Sequence, residues 1–139
     1  MAFVVDASIA GAWLLPDEDN SLAERAMIRM VKEDAVAPGL LRHEIRSILL
    51  SAEKRERVSA DFVHSALARF RELPLQLAGP GDDTEVVRLS RKYRLSAYDA
   101  AYLALALLEQ IPLATLDRRL ADAACAEGVD ILGSTEDEH

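Results

Sequence analysis

The sequence predicts a three-layer α/β domain, a mainly parallel sheet of about five short strands with helices on both faces. Three observations carry that expectation. Short apolar stretches alternate with longer segments of helical period. The stretches are rich in the β-branched and aliphatic residues of buried parallel strands. The junctions between them hold helix caps, prolines and glycines. At 139 residues, half of them hydrophobic, the chain is the size of one ordinary domain. A single domain over 1–133 with a polar tail at 134–139 is expected.

Phe3-Val4-Val5 reads as a buried strand, followed by Asp6-Ala-Ser8 and a first helix from Ile9 to Leu15 that Pro16 stops. The acidic loop Asp17 to Asn20 leads to Ser21-x-x-Glu24, a capping box opening a helix to about Glu33. Ala35-Val36-Ala37 is the second strand. After Pro38-Gly39, a helix from about Leu40 to Glu56 places Leu40, Leu41, Ile45, Ile48, Leu49 and Ala52 on one face. Ser59 caps the next, to about Glu72, and Leu75-Gln-Leu77 is a strand or extended connection. Pro80-Gly81 turns the chain into a helix from Asp82-Asp83 to Tyr93. Ser96 opens a helix that is apolar nearly all round from Ala97 to Leu108 and so belongs at the centre. Pro112 to Thr115 is a strand, Asp117 caps a last helix ended by Gly128, and Val129 to Leu132 is the fifth strand.

Composition limits the partners. The one cysteine, Cys125, can form no disulfide within the chain, and is expected to act as a buried or half-buried small hydrophobe. The N-terminus has no basic leader pattern, and the longest apolar run, Ala100 to Leu108, is far short of the roughly 20 residues a membrane span needs. A soluble cytoplasmic protein is expected. The net charge of −8 argues against nucleic acid at first sight. Setting aside four unusual acids and the tail acids Glu136, Asp137 and Glu138 leaves the rest close to neutral, however, so RNA is not excluded.

Those four acids are Asp6, Glu44, Asp99 and Asp117. Each stands where an apolar residue or a helix cap is expected, and an unpaired buried carboxylate is costly. Asp6 and Asp117 lie just past strand ends, where ligands bind in parallel α/β folds. Both also read as N-caps, although Ser8 offers the first helix an alternative cap. Asp99 completes a capping box with Ser96, yet it is the only ionisable residue of an otherwise apolar segment. Glu44 has no capping explanation. It shares a stripe with Leu40 and Ile48, where the plainer reading is an edge acid paired with Arg42 or Arg46. Asp122 reads as a surface acid, and Arg42 and His43 as solvent-facing.

No His-x-x-x-His, Cys-x-x-Cys, P-loop or Gly-x-Ser-x-Gly pattern occurs. An oxygen-only ligand set suits Mg2+ or Mn2+, and phosphodiester hydrolysis is the chemistry most at home there. Ser8 and Thr115 are placed to hydrogen-bond the ligands or the scissile phosphate.

Val-Val-Asp6-Ala-Ser8, Pro38-Gly-Leu-Leu-Arg-His-Glu44-Ile, Leu95-Ser-Ala-Tyr-Asp99-Ala-Ala-Tyr-Leu-Ala and Pro112-Leu-Ala-Thr115-Leu-Asp117-Arg-Arg-Leu, in that order, resemble the PIN-domain ribonucleases, in particular VapC-type toxins. The resemblance implies an Mg2+- or Mn2+-dependent endoribonuclease whose acidic quartet is Asp6, Glu44, Asp99 and Asp117, with Ser8 and Thr115 as neighbouring hydroxyls. It further implies a homodimer, and a small antitoxin that holds the toxin inactive, often through an Arg among the acids. The chain departs from the family pattern at Ser47, where Asn is frequent. Two other readings compete: a metal-dependent phosphatase or phospho-acceptor domain, which would want Asp at position 8 or a late Lys, and an inert PIN-like module that only binds a partner.

Overall fold

The structure, a computed structural model, describes residues 1–16 and 20–132. The acidic loop at 17–19 and the tail lie outside the described residues. In order, the elements are β1 (Ala2–Val5), α1 (Ala7–Leu14), α2 (Ser21–Arg29), β2 (Asp34–Pro38), α3 (Leu41–Lys54), α4 (Ala60–Glu72), β3 (Leu75–Ala78), α5 (Asp83–Tyr93), α6 (Ala97–Glu109), β4 (Leu113–Ala114) and α7 (Arg118–Ala126).

The four strands form one parallel sheet in the order β3-β2-β1-β4. Phe3, Val4 and Val5 are all fully buried. Successive strand residues face opposite sides, so both faces of β1 must be covered by helices. On one side α6 lies against β1, β2 and β4, with α5 and α7 packed on it, while α1, α2, α3 and α4 pack together. Leu41, Ile45, Leu49 and Ala52 make the buried stripe of α3. Each of its large aliphatics contributes roughly 1.5–3 kcal/mol by leaving water. Trp13 Nε1 donates to the Ala23 carbonyl at 2.7 Å and ties α1 to α2.

The structure departs from the sequence reading in a few places. The fifth strand shrinks to one parallel bridge between Leu113 and Ile131, because β4 is only two residues long and offers little ladder to pair with. The cap of α2 is Asn20, not Ser21: its side chain accepts from the amides of Leu22 and Ala23, one turn position earlier than the capping box places it. Cys125 is exposed, on the outer face of α7 opposite Leu120, Ala123 and Ala124. The central helix α6 buries its middle, but Tyr98 and Leu108 near its two ends are 61% and 73% exposed.

Strand order sets where a ligand site belongs. From β1 the chain steps to β2 and β3 on one side, then returns through α5 and α6 to β4 on the other. The order therefore reverses between β1 and β4, and the crevice beyond their carboxyl ends is the switch point at which parallel α/β folds bind ligands.

Candidate active site

Each of the four acids stands at the N-terminal end of a helix. Asp6 is the N-cap of α1 and Asp117 the N-cap of α7, accepting from the amides of Ile9 at 3.1 Å and Leu120 at 3.0 Å. Glu44 and Asp99 lie in the first turns of α3 and α6. Helices α1, α3 and α7 follow β1, β2 and β4, and α6 runs back toward the start of β4. All four positive helix ends are thus brought to the carboxyl edge of the sheet, where an acid is favoured by the dipole. The N-terminal setting of Glu44 gives it the helix-end explanation that sequence alone denied it.

Asp6 is the most enclosed, at 3% exposure. Ser8 Oγ donates to its Oδ1 at 2.6 Å, and Thr115 Oγ1 donates to its Oδ2. Ser8 Oγ in turn accepts from the Leu116 amide at 2.8 Å, and Thr115 Oγ1 from the Asp117 amide at 3.0 Å. Ser8 therefore does not relieve Asp6 of capping, as the sequence suggested. It stitches the β1–α1 junction to the β4–α7 junction. Three of the roughly four acceptor positions of the Asp6 carboxylate are taken, leaving one on Oδ2.

Burial pushes the Asp6 carboxyl up to about 6, against the lowering effect of the Ser8, Thr115 and Ile9 hydrogen bonds, and the charge of Asp99 adds to the rise. Asp99 is also raised, by burial and then by Asp117, while the Ser96 hydroxyl and Arg119 oppose it. Glu44 is raised by burial first, is lowered by a hydrogen bond from Tyr102, and is raised again by Asp99. Asp99 is thus the charge that both Asp6 and Glu44 feel.

Tyr102, one turn after Asp99 on α6, is fully buried and donates its hydroxyl to Glu44 Oε1 at 2.7 Å. Burial and that acceptor raise the phenol far above its usual range, so it remains a donor. The sequence reading passed over it. A signal was present, since a tyrosine in an alanine- and leucine-rich helix needs a partner for its hydroxyl. Glu44 sits at the shoulder of the buried stripe, half-exposed with Leu40 and Ile48. It does not pair with Arg46, which approaches His43 Nδ1 at 3.4 Å. Arg42, His43, Ser47 and Asp122 are exposed.

Among the described residues no three His, Cys, Asp or Glu side chains are gathered tightly enough to form a ready-made cation cage. The donor set still fits a hard divalent ion. It is oxygen-only, Asp6 keeps an acceptor position free, and three of its acids carry carboxyls that burial and mutual repulsion hold above their ordinary range. A cation would relieve that repulsion.

Residues 3–125 match the family described as PIN domain. The chain is 32% identical over 133 residues to ribonuclease VapC3 of Pyrobaculum aerophilum, covering 88% of this chain and 94% of that protein. It is 35% identical over 127 residues to ribonuclease VapC9 of Mycobacterium tuberculosis, covering 89% and 92%. In fold it is similar to the crystal structure of PAE2754 from Pyrobaculum aerophilum, with a TM-score of 0.69 at 20% identity over 95% of this chain and 84% of that one. FitAcB from Neisseria gonorrhoeae gives a TM-score of 0.67 at 16% identity over 94% and 96%.

Proposed function

The chain belongs to the PIN-domain family, and from that premise we propose that it is an endoribonuclease toxin that hydrolyses RNA phosphodiester bonds with Mg2+ or Mn2+ held by Asp6, Glu44, Asp99 and Asp117. The carrying observation is that four helix N-termini each deliver one acid to the switch point, three of them with raised carboxyls. The relatives' names supply ribonuclease as the activity. A divalent ion bound there supplies an acidified water and a polarised phosphoryl oxygen.

The chain's own residues hold that arrangement in place. Ser8 and Thr115 keep the Asp6 carboxylate oriented and ionisable by donating to its two oxygens. Tyr102 does the same for Glu44 from inside the core. Asp99 and Asp117 face the open side, where a strand can enter.

The same unbalanced acids favour a small protein antitoxin that places an arginine among them when the ion is absent. We read the chain as a cytoplasmic homodimer as well. Leu108 and the apolar groove of about 290 Å3 beside it, lined in part by Val86, Ala104 and Leu105, offer surface for a second copy. No described helix is long and apolar enough to cross a membrane.

Purified chain is expected to cut single-stranded RNA with Mg2+ or Mn2+, to stop on chelation, and to be inactive as Glu44→Gln or Asp99→Asn. Cutting that survives chelation and both substitutions sinks this reading. Light scattering tests the dimer, and a monomer at micromolar concentration would refute it.

A further inference from the structure

We propose that Arg94 and Arg118 form a phosphate-contact subsite that seats the RNA backbone beside the acids, an inference that rests on the ribonuclease reading of Asp99 and Asp117. A pocket of about 390 Å3 opens at the mouth of the site, and its lining includes Arg94, Ser96, Asp99, Asp117, Arg118 and Arg119. It gathers three arginines from two separate elements, the α5–α6 turn and the first turn of α7, around two of the four acids. With a net charge of −8 the chain as a whole repels a polyanion, so a bound strand depends on local cations of this kind.

The three arginines are not equivalent. Arg119 is engaged with the protein: its Nη1 donates to the Arg94 carbonyl at 3.5 Å, and its charge acts on Asp99. Arg94 and Arg118 are exposed, and among the described residues no hydrogen bond or ion pair occupies either guanidinium. Their five-donor forks suit the paired oxygens of a phosphate better than an ammonium would.

The placement of Arg94 is built into the fold. It ends α5 in the left-handed region at φ 56, which is uncommon for a residue other than glycine. Its amide donates to the Ser90 carbonyl, the Leu95 amide donates to the same carbonyl at 3.1 Å, and Ser90 Oγ donates to the Leu95 carbonyl at 2.6 Å. The turn is held on both sides, so the arginine leaves it from a fixed Cα. Ser96, two residues on, caps the helix that carries Asp99. The cation and the acid are thus set by one short segment.

The test is the binding of a labelled single-stranded RNA of mixed sequence, followed by anisotropy at several salt concentrations with chelator present so that nothing is cut. Arg94→Ala and Arg118→Ala should each weaken binding by roughly three- to tenfold and flatten the slope of log affinity against log salt by about 0.7, the value for one phosphate contact on a single strand. Arg91→Ala, the same charge change on the exposed side of α5, should leave the slope as it was. Slopes unchanged in the first two variants, or equally changed in the third, overturn the proposal. So does a failure of the unsubstituted chain to bind RNA at all, or equal binding of a polyglutamate peptide at the same two arginines. Arginine-dependent RNA binding by a chain that cuts nothing with Mg2+ or Mn2+ would uphold the subsite and dismiss the nuclease.

Discussion

Two groups of carboxylates in this chain are held by hydrogen bonds and end up in opposite electrostatic states. At the α5–α7 junction, Glu127 accepts from Arg88 at 2.9 Å, from Lys92 at 3.2 Å and from the Tyr93 hydroxyl, and these partners hold it down at about 2. At the carboxyl edge of β1 and β4, Asp6 accepts from two hydroxyls and an amide and is pushed up to about 6. The difference lies in the donors. Arginine and lysine bring charge with their protons, whereas serine, threonine and tyrosine bring only dipoles. The first group is neutralised from within the protein and ties two helices together. The second is oriented but left short of positive charge, the setting in which the proposed divalent ion would bind.

The strongest way to break that contrast is Asp6→Asn. Asparagine still caps a helix, so the fold should survive while RNA cutting falls by more than about 100-fold, the upper end of what losing an outer partner of a metal ligand does. Its stability should carry the same message. The Asp6 carboxyl sits at about 6 in the fold against an ordinary 3.8, so between those values the native chain binds more protons than the unfolded one. Stability must then fall as pH rises through that window, by on the order of 3 kcal/mol for this group, and level off above it. Metal-free urea titrations across the range should show the fall in the parent chain and its loss in Asp6→Asn. A parent chain that gains stability over the same window through this residue contradicts the assignment.

Thr115→Val comes next. It strips a donor from Asp6 and an acceptor from the Asp117 amide at once, and should cost about 1–3 kcal/mol of unfolding free energy, read by urea titration. Tyr102→Phe keeps the buried ring and removes only the hydroxyl that holds Glu44. Calorimetric titration with Mn2+ should register roughly tenfold weaker binding with little change in fold. Smallest is Glu127→Gln, with a loss of about 1 kcal/mol or less and undiminished RNA cutting. Its pH signature runs the other way. Glu127 contributes stability that is present above the ordinary 4.5 and is lost as pH falls toward about 2. A large catalytic defect in Glu127→Gln would erase the distinction between the two groups.

Much of this was legible in the residues. Phe3-Val4-Val5 and Ala35-Val36-Ala37 announce buried strands, and the positions of Asp6, Asp99 and Asp117 at junctions and caps follow from local pattern. What the pattern could not carry was contact across the chain. Tyr102 lies 58 positions from Glu44, and nothing near either residue names the other. Ser8 looked like a spare cap because its true partner, the Leu116 amide, is 108 residues away. Arg94 and Arg118 share one pocket only because the α5–α6 turn and the start of α7 are folded against each other, which no local pattern near either residue encodes. Glu44 drew notice for a sound reason, its place on an apolar stripe, but its setting in the first turn of α3 depended on where that helix begins.

The hydroxyl of Thr115 reaches Asp6 across 109 residues of sequence, and that separation has a meaning in time. A ribosome adding about 5–20 residues per second needs on the order of ten seconds to follow the first acid with the strand that completes its surroundings. Helices α1 to α4 and the strands between them are made well before then. Through the middle of that interval the nascent chain carries Asp6 and Glu44 without Asp99, Asp117 or Thr115, so the four acids come together only after β4 has been made.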